Sequence, residues 1–200
     1  MLLLTSNAYN IFWLGRYLAR IQFLCQHLPL QDDEHAKQLI SALYLPAYDA
    51  ASLTALLFDS EQTYSFGQQF KIAYDNVQAL RGILSVQSYA ELNAMFKSAK
   101  SNAVAICQVI SDVEAVLEAE SQDIFLFFSL GKYIEKLDQE LRTQQECHDS
   151  LEKLDILANA LSDYGWDDYV QVWQKFKVQP DLSTFNRLNA HLQQMFGVVT

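Results

Sequence analysis

The phrase FWLGRYLARIQ, from Phe12 to Gln22, returns as FSLGKYIEKLD from Phe128 to Asp138. Leu14 pairs with Leu130, Gly15 with Gly131, Arg16 with Lys132, Tyr17 with Tyr133, Leu18 with Ile134 and Arg20 with Lys136, always 116 residues apart and without a gap. A glycine inside a helix costs about 1 kcal/mol relative to alanine. Two glycines at equivalent mid-helix places therefore predict close backbone approach by a neighbouring helix. The expectation is that the two helices cross near Gly15 and Gly131, roughly about a pseudo-two-fold axis, in a chain of two loosely similar halves that arose by duplication.

Around the first copy, Ile11, Leu14, Leu18, Ile21 and Cys25 form one apolar stripe, and Phe12, Trp13, Tyr17 and Leu24 widen it almost to the full circumference. Such a helix belongs in the middle of a protein. Asn7 is placed to cap it and Pro29 to end it. Further helices are expected from Asp32 or Asp33 to about Leu43, from Asp49, from Ser60, from Ser88 as one long helix or two, from Ser121, through HDSLEKLDILANALSDY and WDDYVQVWQKFKV, and from Pro180–Asp181 to Gly197. With 6 glycines and 3 prolines in 200 residues, turn residues are too few for an all-β chain. The reading is all-α, one domain over residues 1–200, a bundle of seven to nine helices.

Arg16 and Arg20 share a helix face one turn apart, as do Lys132 and Lys136. Glu135 stands beside the second pair, where the first copy has Ala19. One reading has these long side chains snorkelling from a buried helix to carboxylates such as Asp75. The other is a polar site for an anionic group between the halves.

A net charge of −10, from 24 acidic and 14 basic residues, repels phosphate backbones and anionic lipid, so neither nucleic acid nor a membrane is expected as a partner. Cys25, Cys107 and Cys147 are distant, odd in number and without a Cys-x-x-Cys pair, so they read as reduced thiols. The opening segment lacks a basic region and is interrupted by polar residues, which reads as mature protein, and no apolar run is long enough to span a bilayer. Cytoplasmic placement follows as the default.

None of His27, His35, His148 and His191 has Glu three residues before it, so a di-iron bundle lacks its ligands. Asp32-x-x-His35 is one weak metal spacing, and the adjacency of Cys147 and His148 does not orient a base toward a thiol. No zinc spacing, phosphate loop or nucleophile elbow occurs, and no cofactor or metal is expected. Glu114, Glu118, Glu120 and Asp123 read as a solvated acidic face, and Trp166, Tyr169, Trp173 and Phe176 as a core stripe.

The opening SNAYNIFWLGRYLARIQ resembles the start of alpha-E domain proteins, a bacterial all-helical family named for a Glu-Arg motif. Asn10, Trp13, Leu14, Gly15, Arg16, Tyr17 and Arg20 agree with the family's beginning, while Tyr9 replaces a Glu and Ala19 replaces the motif Glu. DNVQALRGILSVQSYAELN is similar to a central family segment through Asp75, Asn76, Arg81 and Asn93, with Gln78 standing for Arg and Tyr89 for Trp. Gly131, Tyr133 and Glu135 match a third segment, with Lys132 and Lys136 standing for arginines. The resemblance implies no established catalysis, and association with ATP-grasp and transglutaminase-like proteins in peptide synthesis or modification. A non-catalytic partner or scaffold is the leading expectation, and a homo-oligomer is compatible with it. The alternative is an enzyme or anionic-ligand domain using Arg16, Arg20, Asp75, Asn76, Arg81, Lys132, Glu135 and Lys136.

Overall fold

Ten helices, and no strand, make up the regular structure of residues 3–99 and 102–197, the part of the chain that the computed structural model describes. They are α1 (Thr5–Gln26), α2 (Asp33–Leu43), α3 (Ala50–Phe58), α4 (Phe66–Ala79), α5 (Val86–Ala99), α6 (Ala103–Glu118), α7 (Gln122–Arg142), α8 (His148–Ser162), α9 (Asp167–Val178) and α10 (Leu182–Met195). The count exceeds the seven to nine expected, in part because the stretch read as one helix or two divides into α5 and α6.

Where starts were read from polar side chains, four hold. Asp32 accepts from the amides of Glu34 and His35, and Asp49 and Asp181 form reciprocal capping boxes with Ser52 and Thr184. Ser121 precedes α7 without capping it through its side chain. Three differ. α1 begins two residues before Asn7, and the hydroxyl of Ser85 rather than Ser88 receives the first-turn amide of α5. The stretch after Ser60 turns instead of coiling, because the Asp59 carboxylate takes the Glu61 amide and the Gln62 side chain. Such local bonds compete with a helix, and α4 starts only where Ser65 caps it.

α1 and α7 form the centre. α4 and α6 pack on α1, α8 on α7, and α9, α10 and α5 extend the periphery. Both central helices are buried over most of their faces, α1 through Ile11, Phe12, Leu14, Leu18 and Ile21, and α7 through Phe127, Phe128, Leu130, Ile134 and Leu137. Their crossing falls at the two glycines. A Cβ on Gly15 would meet the Phe128 carbonyl oxygen and lie 2.9 Å from the Lys132 amide nitrogen. One on Gly131 would meet the Phe12 carbonyl oxygen and lie 2.8 Å from its carbon. Phe12 and Phe128 are themselves equivalent in the repeat, so the 116-residue offset exchanges the two contacts. The aromatic stripe of α9 is core as expected, with Tyr169, Trp173 and Phe176 buried.

The reading of three reduced thiols is corrected. Cys25, near the end of α1, and Cys107, in the second turn of α6, form a disulfide with Cα atoms 5.6 Å apart, while Cys147 is free. The packing of α1 on α6 brings together residues 82 apart in sequence, a pairing that no local spacing announces. Reduction is expected to lower stability by about 2–4 kcal/mol, because it restores conformational freedom to the unfolded chain. Urea unfolding with and without reductant measures this, and an unchanged midpoint would contradict the bridge.

Candidate functional site

Glu135 is fully enclosed and stands between the two arginines of the other copy. Its Oε2 accepts from Arg16 Nε at 2.8 Å, and its Oε1 from Arg20 Nε at 2.6 Å. Arg20 Nη2 adds a bond to Oε2 at 3.0 Å. Arg16 is also spoken for elsewhere: Nη1 donates to Asn189 Oδ1 at 2.8 Å, Nη2 lies 3.7 Å from Asp138, and the guanidinium rests 5.2 Å from the Trp13 ring centroid. Arg142 closes the far end through Asp138, Nε to Oδ1, at 2.8 Å. The order is Arg20, Glu135, Arg16, Asp138, Arg142, alternating in sign, with Asn189 of α10 at its side.

Three of the eight residues read from the sequence, Arg16, Arg20 and Glu135, therefore meet. Lys132 instead bonds Glu114 at 2.9 Å and Glu118 at 2.8 Å, and Lys136 bonds Asp149 at 2.7 Å. Asp75 is not the partner of the arginines. It pairs with Lys71 on an exposed face of α4 at 2.7 Å, because its helix position points away from the α1–α7 crossing. The buried Asn76 side-chain amide has no partner among the described residues, and Arg81 lies 5.7 Å from the Tyr89 ring centroid. The central segment has its own network: Tyr89 Oη donates to Gln78, whose amide donates to Asn93, which also accepts from Tyr74 Oη at 2.7 Å. These bonds join α4 to α5.

The repeat explains the asymmetry. Ala19 is the equivalent of Glu135, and Lys132 and Lys136 are the equivalents of Arg16 and Arg20. A second Glu-centred cluster would need a carboxylate at residue 19. A cavity of about 370 Å³ lies there instead, lined in part by Ala19, Lys132, Lys136, Gln22 and Glu140. The lysines have turned to carboxylates of α6 and α8. This corrects the reading of a wholly solvated acidic face, since Glu114 is buried and Glu118 is bound to the same lysine.

Sequence reasoning did not place Asp138, Arg142 or Asn189 in the candidate site, nor Glu114 and Glu118, which it read as solvated. Asp138 was within reach, lying three residues after Glu135 on the same helix face. Asn189 carries no local signal. Among the described residues no group of three or more His, Cys, Asp or Glu side chains is arranged to hold a metal ion. None of the described helices is long and apolar enough to cross a membrane.

Burial alone would push the Glu135 carboxyl up, but the Arg16 and Arg20 guanidiniums outweigh it and hold it below the ordinary carboxylate range. Burial wins at Asp138, aided by the neighbouring Glu135 charge, and at Glu114 and Glu140, whose carboxyls all shift upward. The raised groups bind protons more readily folded than unfolded. They add stability as pH falls from their folded values toward the ordinary value near about 4. Glu135 does the reverse: its contribution is present above the ordinary value and is lost as pH falls through its depressed one. The urea midpoint should therefore rise as pH falls from neutral toward the ordinary carboxylate value of about 4 and decline below it. A midpoint that declined steadily from pH 7 would contradict this, and Asp138→Asn with Glu114→Gln should flatten the rise.

The two copies of the phrase thus bind across the glycine crossing through Arg16, Arg20 and Glu135, within an all-helical domain. The alpha-E sequence profile, described as a predicted alpha-helical domain with a conserved ER motif, matches residues 3–178, and the chain belongs to this family. No curated protein and no solved structure matches the chain.

Proposed function

We propose that the chain is a non-catalytic partner or scaffold in a peptide-modifying system whose enzymes are ATP-grasp or transglutaminase-like proteins. One observation supports the non-catalytic reading: the charges of the repeated phrase that meet are spent on one another. Arg16, Arg20 and Glu135 form a buried, mutually bonded cluster that fastens α1 to α7, an arrangement suited to holding a shape. The family resemblance supplies the class of partner. Affinity capture of the tagged full chain from its native cells tests this. Stoichiometric recovery of an ATP-grasp or transglutaminase-like protein supports it, and a chain recovered alone under gentle conditions counts against it.

The second reading is an enzyme or anionic-ligand domain between the repeated helices. It is favoured by the convergence of Arg16, Arg20 and Glu135. Cytoplasmic placement is also part of the proposal, and the disulfide tests it. In a reducing compartment, alkylation at lysis would trap all three thiols, whereas in an oxidising one it would trap Cys147 alone.

A further inference from the structure

A cavity of about 720 Å³ opens where the end of α1, the length of α2 and the segment that ends α7 meet. His27, His35, Lys37, Tyr44, Arg142 and Gln144 are among its walls. Its volume suits a metabolite-sized molecule. Arg142 uses Nε on Asp138 and lays its guanidinium 5.3 Å from the Tyr44 ring centroid, and its terminal nitrogens have no partner among the described residues. The His27 ring donates Nδ1–H to the Phe23 carbonyl at 2.7 Å, so its Nε2 donates to an anion only when the ring carries its second proton. His35 stacks on it, with centroids 5.2 Å apart and planes 19° from parallel. Lys37 is held only by Glu34, in an exposed pair of little worth that an incoming anion can exchange. The carboxylates facing these groups are Glu34 at the rim, Asp32 and Asp33 near Lys37, and Asp138 behind Arg142.

The backbone shapes the same walls. Tyr44, at φ 52°, and Gln144, at φ 55°, are the two non-glycine residues with left-handed backbone among the described residues, and both line this cavity. Both end helices, where glycine serves without steric penalty and a side chain costs about 1–2 kcal/mol. Tyr44 uses its side chain to cover Arg142.

We propose that this cavity binds the oxyanion group, phosphate or carboxylate, of a small molecule, with the Arg142 fork as principal contact and His27, His35 and Lys37 around it. The guanidinium presents paired N–H donors that match either group. This goes beyond the scaffold reading and is independent of whether a partner protein is captured.

Calorimetric titration of the full chain with inorganic phosphate, and separately with citrate, at fixed ionic strength tests it. Arg142→Lys keeps a cation beside Asp138 while removing the fork, and a His35→Ala, Lys37→Ala variant alters only exposed side chains. Lys71→Ala, on the far exposed pair with Asp75, is the control. Saturable millimolar binding of either probe, weakened about tenfold or more in either variant and unchanged in the control, is the expected result. The responding probe tells a phosphate ligand from a carboxylate one. Absence of binding for both probes at about 10 mM, or equal binding by all variants, overturns the proposal.

Discussion

Replacing both crossing glycines, Gly15→Ala with Gly131→Ala, is expected to abolish the native fold or to lower its stability by about 5 kcal/mol, with each single change costing about 3 kcal/mol. The added methyl would meet main-chain atoms of Phe128 and Lys132 in one case and of Phe12 in the other. Those atoms belong to helices buried on most sides and cannot swing away as a side-chain tip would. Alanine's advantage in helix propensity, about 1 kcal/mol, offsets only part of the loss. Gly67, in the first turn of α4, is the comparison. Its nearest neighbour would be the Ser60 Cβ at 3.8 Å, an ordinary contact. Gly67→Ala should thus stabilise by about 0.4–1 kcal/mol. Urea unfolding of the three single variants would show opposite signs. Equal, small effects at all three positions would mean that α1 and α7 do not approach as closely as described.

Glu135→Ala is expected to cost about 3–5 kcal/mol, because it leaves Arg16 as a buried charge without its main partner. The Arg16 side chain is 5% exposed, against 37% for Arg20, so only Arg20 can turn to water. Asp138 at 3.7 Å and Asn189 compensate Arg16 in part, which places the effect toward the lower end of that range. A stronger test is the double variant Arg16→Met with Glu135→Leu. Buried ion pairs exchanged for apolar residues of similar volume are often neutral or better. The double variant should therefore recover most of the loss, with Asp138 still held by Arg142. Two single losses that simply added would show that the residues are not coupled.

Much of the centre could be read from residues alone, and for identifiable reasons. The glycines were legible because a mid-helix glycine is costly unless something needs the space, and two at one offset named the helices that share it. Asp32, Asp49 and Asp181 were legible because capping is a local interaction. The partners of Arg16 and Arg20 were not, since a charged side chain's neighbours depend on how helices distant in sequence rotate against each other. Glu135 was in view, but beside its own lysines, whereas the fold hands it to the opposite copy. The same limit hid Cys107 from Cys25 and Asn189 from Arg16. The charged residues of the two central helices could be nominated from sequence but not paired.

The bond between Cys25 and Cys107 also changes the connectivity of the molecule. It closes the chain from Cys25, at the end of α1, to Cys107, in the second turn of α6, into a covalent ring with two tails, the first carrying most of α1 and the second the rest of α6 with α7 to α10. Phe58 to Tyr64 lie on that ring as seven consecutive exposed residues, from the last of α3 into the link to α4. A protease that cuts there would open the ring without dividing the molecule, so the nicked chain should migrate as one species until reductant separates it into two.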